Sequence, residues 1–62
     1  MRITLHAGSE TICRLKTFQE AIMAVMTIKD RPLFKDEENA LIFGKKLSFV
    51  SNGVRYSVTV EN

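Results

Sequence analysis

From Arg2 to His6 the chain alternates, with Ile3 and Leu5 on one side and Arg2, Thr4 and His6 on the other. A period of two marks a strand with one face buried. Gly8-Ser9 follows, and glycine at the first central position favours a two-residue type II′ turn. Glu10 to Lys16 is therefore expected to return as a second strand. Two registers compete for this hairpin. A two-residue turn sets Leu5 against Ile12 and Thr4 against Cys13, whereas a three-residue loop sets Ile3 against Cys13 and Leu5 against Thr11. Because a slip of one residue exchanges the faces, the choice decides whether Ile12 or the Cys13/Leu15 pair enters the core. The two-residue turn is favoured.

The period then changes. Thr17-Phe18-Gln19-Glu20 fits a capping box, in which the threonine hydroxyl accepts from a backbone N–H and the glutamate reaches back. Phe18, Ala21, Ile22, Val25 and Met26 recur at spacings of three and four, which draws one apolar stripe along a helix. Asp30-Arg31-Pro32 ends it, since a residue before proline is pushed out of helical geometry. The pattern predicts an amphipathic helix over about 18–30.

Residues 35–44 are ambiguous. Asp36 suits the cap of a short helix closed by Gly44, with Lys45 and Lys46 beyond it. The apolar run Ala40 to Phe43 suits a buried strand interrupted at Gly44, and this second reading is preferred. The end of the chain is plainer. Asn52-Gly53 between two alternating runs is the strongest short-range hairpin signal. Its two-residue turn sets Phe49 opposite Tyr56 and Leu47 opposite Val58. Leu47, Phe49, Val54, Tyr56 and Val58 then share one face, and Ser48, Val50, Arg55, Ser57 and Thr59 the other.

These elements make one α+β domain over residues 1–62: a hairpin, an amphipathic helix, and a C-terminal hairpin with room for an extra strand, the helix packed on one face of a small antiparallel sheet. With 62 residues the chain hides only ~60% of the surface its unfolded form exposes, so stability is marginal. Such scaffolds are usually reinforced by disulfides, metals or partners. One cysteine, Cys13, and one histidine, His6, exclude an internal disulfide and a zinc site of the usual four ligands. Self-association or a permanent partner is the remaining reinforcement, and a homo-oligomer is one expectation. No apolar stretch approaches the ~20 residues of a spanning helix, and no membrane association is expected. The start of the chain lacks the form of a secretory signal and the lone thiol suits a reducing compartment, so a cytoplasmic location is expected.

Reactive chemistry is sparse. Cys13 and His6 lie within reach across the first hairpin, but no orienting group or oxyanion site accompanies them. Asp36, Glu37 and Glu38 are consecutive and enclose no glycine, unlike a calcium loop, and read as a solvated charge run. Gly8, Gly44 and Gly53 each read as turn or cap residues, not as a phosphate-binding loop. Neither catalysis nor a cofactor is expected.

What remains is surface. The sheet face away from the helix should carry Arg2, Thr4, His6, Ser48, Val50, Arg55, Ser57 and Thr59, with Arg14 and Ile12 joining it only in the three-residue register. Lys45-Lys46 forms a second basic cluster. The expected function is that of a small non-enzymatic regulator or inhibitor, of the kind phages encode against host systems or antitoxin-like. It would dock on a larger protein through a sheet edge or the open face, using Arg2, Thr4, Lys45, Lys46, Val50, Arg55 and Ser57. The alternative is a nucleic-acid-binding module. The net charge of +2 lends that little support, and sheets that bind single strands use exposed aromatics, whereas Phe49 and Tyr56 point into the core.

Overall fold

A computed structural model describes residues 1–61. Six elements follow in order: β1 (Arg2–Ala7), β2 (Glu10–Leu15), α1 (Phe18–Lys29), α2 (Lys35–Ile42), β3 (Lys46–Ser51) and β4 (Val54–Glu61). The strands form one antiparallel sheet in the order β2-β1-β4-β3. Both helices lie against one face, and the core between the layers is built from Ile3, Leu5, Ala21, Val25, Leu41, Leu47, Phe49, Val58 and Val60. The pairing that closes the sheet is the long-range one, β1 with β4, which sets Leu5 against Val58 and Ile3 against Val60.

The C-terminal hairpin has its expected register, with Phe49 opposite Tyr56 and Leu47 opposite Val58. Asn52 and Gly53 both take positive φ (51° and 77°), as a type I′ turn requires. The rings of Phe49 and Tyr56 stack with centroids 5.4 Å apart.

The N-terminal hairpin departs from both expected registers. Its turn is the two-residue one, with Ala7 opposite Glu10 and His6 opposite Thr11. The ladder then shifts at a bulge, so that Leu5 meets Cys13, Thr4 meets Arg14 and Ile3 meets Leu15. Ile12, expected in the core, is the extra residue and is 51% exposed. Leu15 takes its place and packs against the core from the edge strand. One inserted residue thus exchanges the faces of the rest of β2.

Helix α1 begins at Thr17, whose hydroxyl accepts from the Glu20 N–H at 3.1 Å. The Glu20 carboxylate reaches one residue past the cap, accepting from the Lys16 N–H at 2.8 Å. The helix ends one residue earlier than expected, because Asp30 adopts a left-handed cap at φ 57°. Ala21 and Val25 are buried, and Phe18, Ile22, Ala24 and Ile28 pack against them. Met26, counted in the apolar stripe, is only half-buried and lines a groove outside the core.

The run Ala40 to Phe43 is not a strand. Ala40 to Ile42 complete α2 and Phe43 caps it, and the expectation of a buried strand is corrected accordingly. Leu41 is fully buried, but Phe43 is 77% exposed, so the run is buried on one helical side and not throughout. Three acids in the first turn favour the helix through its dipole. The cap is Phe34 and not Asp36, with its N–H held by the Glu37 carboxylate at 2.9 Å. A side chain at Gly44 would meet the Ala40 carbonyl oxygen at 2.7 Å, so the chain leaves α2 only through glycine. Among the described residues no helix is long and apolar enough to cross a membrane.

Candidate functional site

Both helices cover the same face, which leaves the other side of the sheet without a second layer. Strand alternation and register place its side chains in rows. Arg14, Thr4, Thr59 and Lys46 lie side by side across all four strands. Thr11, His6, Ser57 and Ser48 form the adjacent row. Arg2 stands opposite Glu61 at one end of the face, and Arg55 opposite Val50 towards the other. With strands ~4.8 Å apart, Arg14 and Lys46 start about 14 Å from each other. Arg2 and Arg55 are separated by about 20 Å along the strands. Cations therefore ring a centre of hydroxyls and one imidazole.

That centre is ordered. Thr4, between Arg14 and Thr59, is only 8% exposed although it belongs to the outer face. In the tautomer with the proton on Nε2, His6 donates to the Thr59 hydroxyl at 3.3 Å, and the Thr11 hydroxyl donates to Nδ1 at 3.4 Å. His6 and Thr59 stand on the two central strands, each paired on both sides, and Thr11 reaches them from the edge strand β2.

Most of the acids lie away from this face. The face holds Arg2, Arg14, Lys46 and Arg55 against the single carboxylate of Glu61, more positive than the whole chain at +2. Asp30, Asp36, Glu20, Glu37 and Glu38 lie on the helices or their caps. The ion pairs among the described residues are also on the helical side. There Glu37 accepts from both terminal guanidinium nitrogens of Arg31 (2.9 and 3.1 Å) and pairs with Lys29 at 2.8 Å. Arg31, then Lys29, then the Phe34 N–H pull its pKa from the ordinary 4.5 down to about 2. Lys29 also sits over the Phe49 ring at 4.8 Å, and Ser51 donates to the Ile28 carbonyl at 3.2 Å. This cluster ties the end of α1 to α2 and to β3. Its role is structural, and the charge-run reading of Glu37 missed it.

Of the residues proposed from sequence, Arg2, Thr4, Lys46, Val50, Arg55 and Ser57 come together on the open face. Lys45 does not lie in it; it precedes β3 in left-handed backbone at φ 60°, its carbonyl accepting from the Val60 N–H at 2.9 Å. Arg14 joins the face through the bulge. Cys13 and His6 are on opposite sides of the sheet, since Cys13 faces Leu5, and they form no pair. All five aromatic residues of the chain lie off the open face.

Elsewhere, Met23, Met26, Thr27, Asp30, Arg31 and Pro32 line a shallow groove of about 360 Å³ beside the end of α1. Comparison with known proteins yields no matching family model, and no curated protein or solved structure matches the chain.

Proposed function

We propose that this chain is a small non-catalytic regulator or inhibitor that docks an acidic protein surface on the open face of its sheet. One observation carries the reading: the two helices cover one face only, and the uncovered face gathers four of the chain's cations around a field of hydroxyls. Arginine is enriched at protein interfaces, and cations spread over a wide flat surface match carboxylates spread over another. The absence of aromatics from the face argues against a single-strand binder, which stacks bases on them. An exposed free thiol, Cys13, suits a reducing, cytoplasmic setting.

The test compares the chain with Arg14→Glu/Arg55→Glu in affinity capture after nuclease treatment, with Lys35→Glu on α2 as the control. Loss of the captured protein in the double variant alone supports the reading. Retention by the double variant ends it. Fluorescence anisotropy with a duplex and a single strand of about 20 nucleotides at low salt tests the nucleic-acid reading. Binding whose affinity falls with salt at ~0.9 log units per phosphate contact on duplex DNA would replace the protein partner with a nucleic acid.

A further inference from the structure

The sheet has two edges, β2 and β3, and they are finished differently. Strand β2 carries the Ile12 bulge together with Glu10 and Arg14, and bulges and charges are the usual means of blocking an edge. Strand β3 has neither bulge nor proline, its one charge is Lys46 at its start, and its pairing with β4 runs unbroken from Lys46 to Ser51.

The turn fixes which backbone groups of β3 are free. In a two-residue hairpin the flanking pair, Ser51 and Val54, exchanges both hydrogen bonds, and bonded pairs then alternate. Phe49/Tyr56 and Leu47/Val58 are bonded pairs, and Lys45/Val60 continues the series. The Val60 N–H to Lys45 carbonyl bond at 2.9 Å confirms that phase. Lys46, Ser48 and Val50 therefore turn their N–H and C=O groups outward. No turn, cap or loop backbone group among the described residues takes them up. Val50 is also 61% exposed, and Phe34, at 62%, and Phe43 stand exposed at the two ends of α2, the helix packed on β3.

From this we infer that β3 pairs antiparallel with β3 of a second copy of the chain, joining two four-stranded sheets into one. A single register uses all three outward residues of both strands: Ser48 opposite the partner's Ser48, and Lys46 opposite the partner's Val50 on either side. It forms about six backbone hydrogen bonds. It also places a hydroxyl pair on the axis, lays each lysine stem against a valine and sets no like charges opposite. A shift of two residues in either direction leaves outward groups unpaired or brings the two Lys46 side chains closer. Pairing supplies the reinforcement that a chain of this size without a disulfide needs, and it sets the two open faces side by side. The inference does not depend on what the open face binds.

Sedimentation velocity from about 1 to 500 μM, an interval chosen to bracket micromolar association, tests it on the intact chain. The expected species has twice the 7.0 kDa mass of the chain. Ser48→Pro removes an outward N–H while sparing the ladder to β4, and is expected to be monomeric with an unchanged far-UV spectrum. Val50→Lys sets the new lysine against the partner's Lys46 and should weaken the dimer at least ~10-fold; adding Lys46→Glu should restore it. A chain monomeric at every concentration overturns the inference, as does a dimer untouched by Ser48→Pro. Failure of the charge swap to restore association overturns the register and with it the proposal.

Discussion

The two hairpins start alike and diverge within two pairs. Each closes on a two-residue turn containing a glycine at positive φ, yet the C-terminal hairpin holds one register over its whole length while the N-terminal one shifts between Leu5 and His6. The difference lies in whether turn and apolar pattern ask for the same pairing. Around Asn52-Gly53 they agree: the turn that puts Ser51 opposite Val54 also puts Leu47 and Phe49 opposite Val58 and Tyr56. Around Gly8-Ser9 they conflict, because a strict two-residue register would turn Leu15 out to solvent and Ile12 in. The bulge lets the turn keep its geometry and the core keep Leu15. Agreement gives a regular ladder; conflict is absorbed by one extra residue at the edge, where a broken ladder costs least.

If the C-terminal hairpin is the firmer half, damage there should weigh most. Phe49→Ala removes a buried ring stacked on Tyr56 and lying beneath Lys29. It is expected to cost about 3–5 kcal/mol, close to the whole stability of a domain this small. Leu15→Ala, at a half-buried edge position, should cost about 1–2 kcal/mol. Urea denaturation followed by circular dichroism measures both, and a larger loss at Leu15 would reverse the comparison. The turns themselves should not differ. Gly53→Ala and Gly8→Ala each force a side chain into left-handed backbone with nothing within 4 Å of the added carbon. Similar losses of about 1–2 kcal/mol are expected from backbone strain alone. Markedly unequal losses would show that the turns, and not the patterns behind them, set the hairpins apart.

Much of this was legible along the chain, because it depends on near neighbours. The capping threonine, the stripe through Ala21 and Val25, the Asn-Gly turn and the two faces of β1, β3 and β4 all follow from spacings of two to four residues. What was not legible depends on distant ones. Nothing local announces that β1 lies between β2 and β4, yet that order sets Arg14, Thr4, Thr59 and Lys46 in one row. Alternation placed Arg2, Thr4, His6, Ser48, Val50, Arg55, Ser57 and Thr59 on the open face, but not Thr11, Arg14, Lys46 or Glu61, and it did not tell which of them are adjacent. The α2 helix was misread because Ala40 to Phe43 satisfies two periods at once, and only burial of Leu41 with exposure of Phe43 separates them. The Glu37 cluster was missed because its partners, Lys29 and Arg31, meet it only once the chain folds back after Pro32.

That cluster pins the helices over the firmer hairpin, since Lys29 touches both Glu37 and the Phe49 ring. Glu37 titrates at about 2 when folded against an ordinary 4.5, so the unfolded chain binds its proton first as pH falls. The stabilisation it gives is complete above about pH 4.5 and is lost as pH drops towards 2. Because the groups remain partly solvated, Glu37→Gln should cost about 1 kcal/mol at neutral pH and flatten the acid limb of the stability curve. Chemical denaturation between pH 2 and 7, spanning the two values above, checks this. An acid limb unchanged in the variant would remove Glu37 from the account.

The smallest effect is expected where the comparison is sharpest. Deleting Ile12 joins Thr11 directly to Cys13, so Thr11 stays opposite His6, Cys13 stays opposite Leu5, and the ladder between β1 and β2 becomes continuous. Turn and core then agree in both hairpins. Ile12 is half exposed and belongs to no part of the core, so stability should change by no more than about 0.5 kcal/mol. What the deletion removes is the irregularity that guards the β2 edge, and a second regular edge invites pairing. The shortened chain should therefore keep its denaturation midpoint while forming species larger than those of the intact chain in sedimentation. A loss of about 2 kcal/mol or more would mean that Ile12 supports the fold directly, and that the bulge is something other than a reconciliation of turn with core.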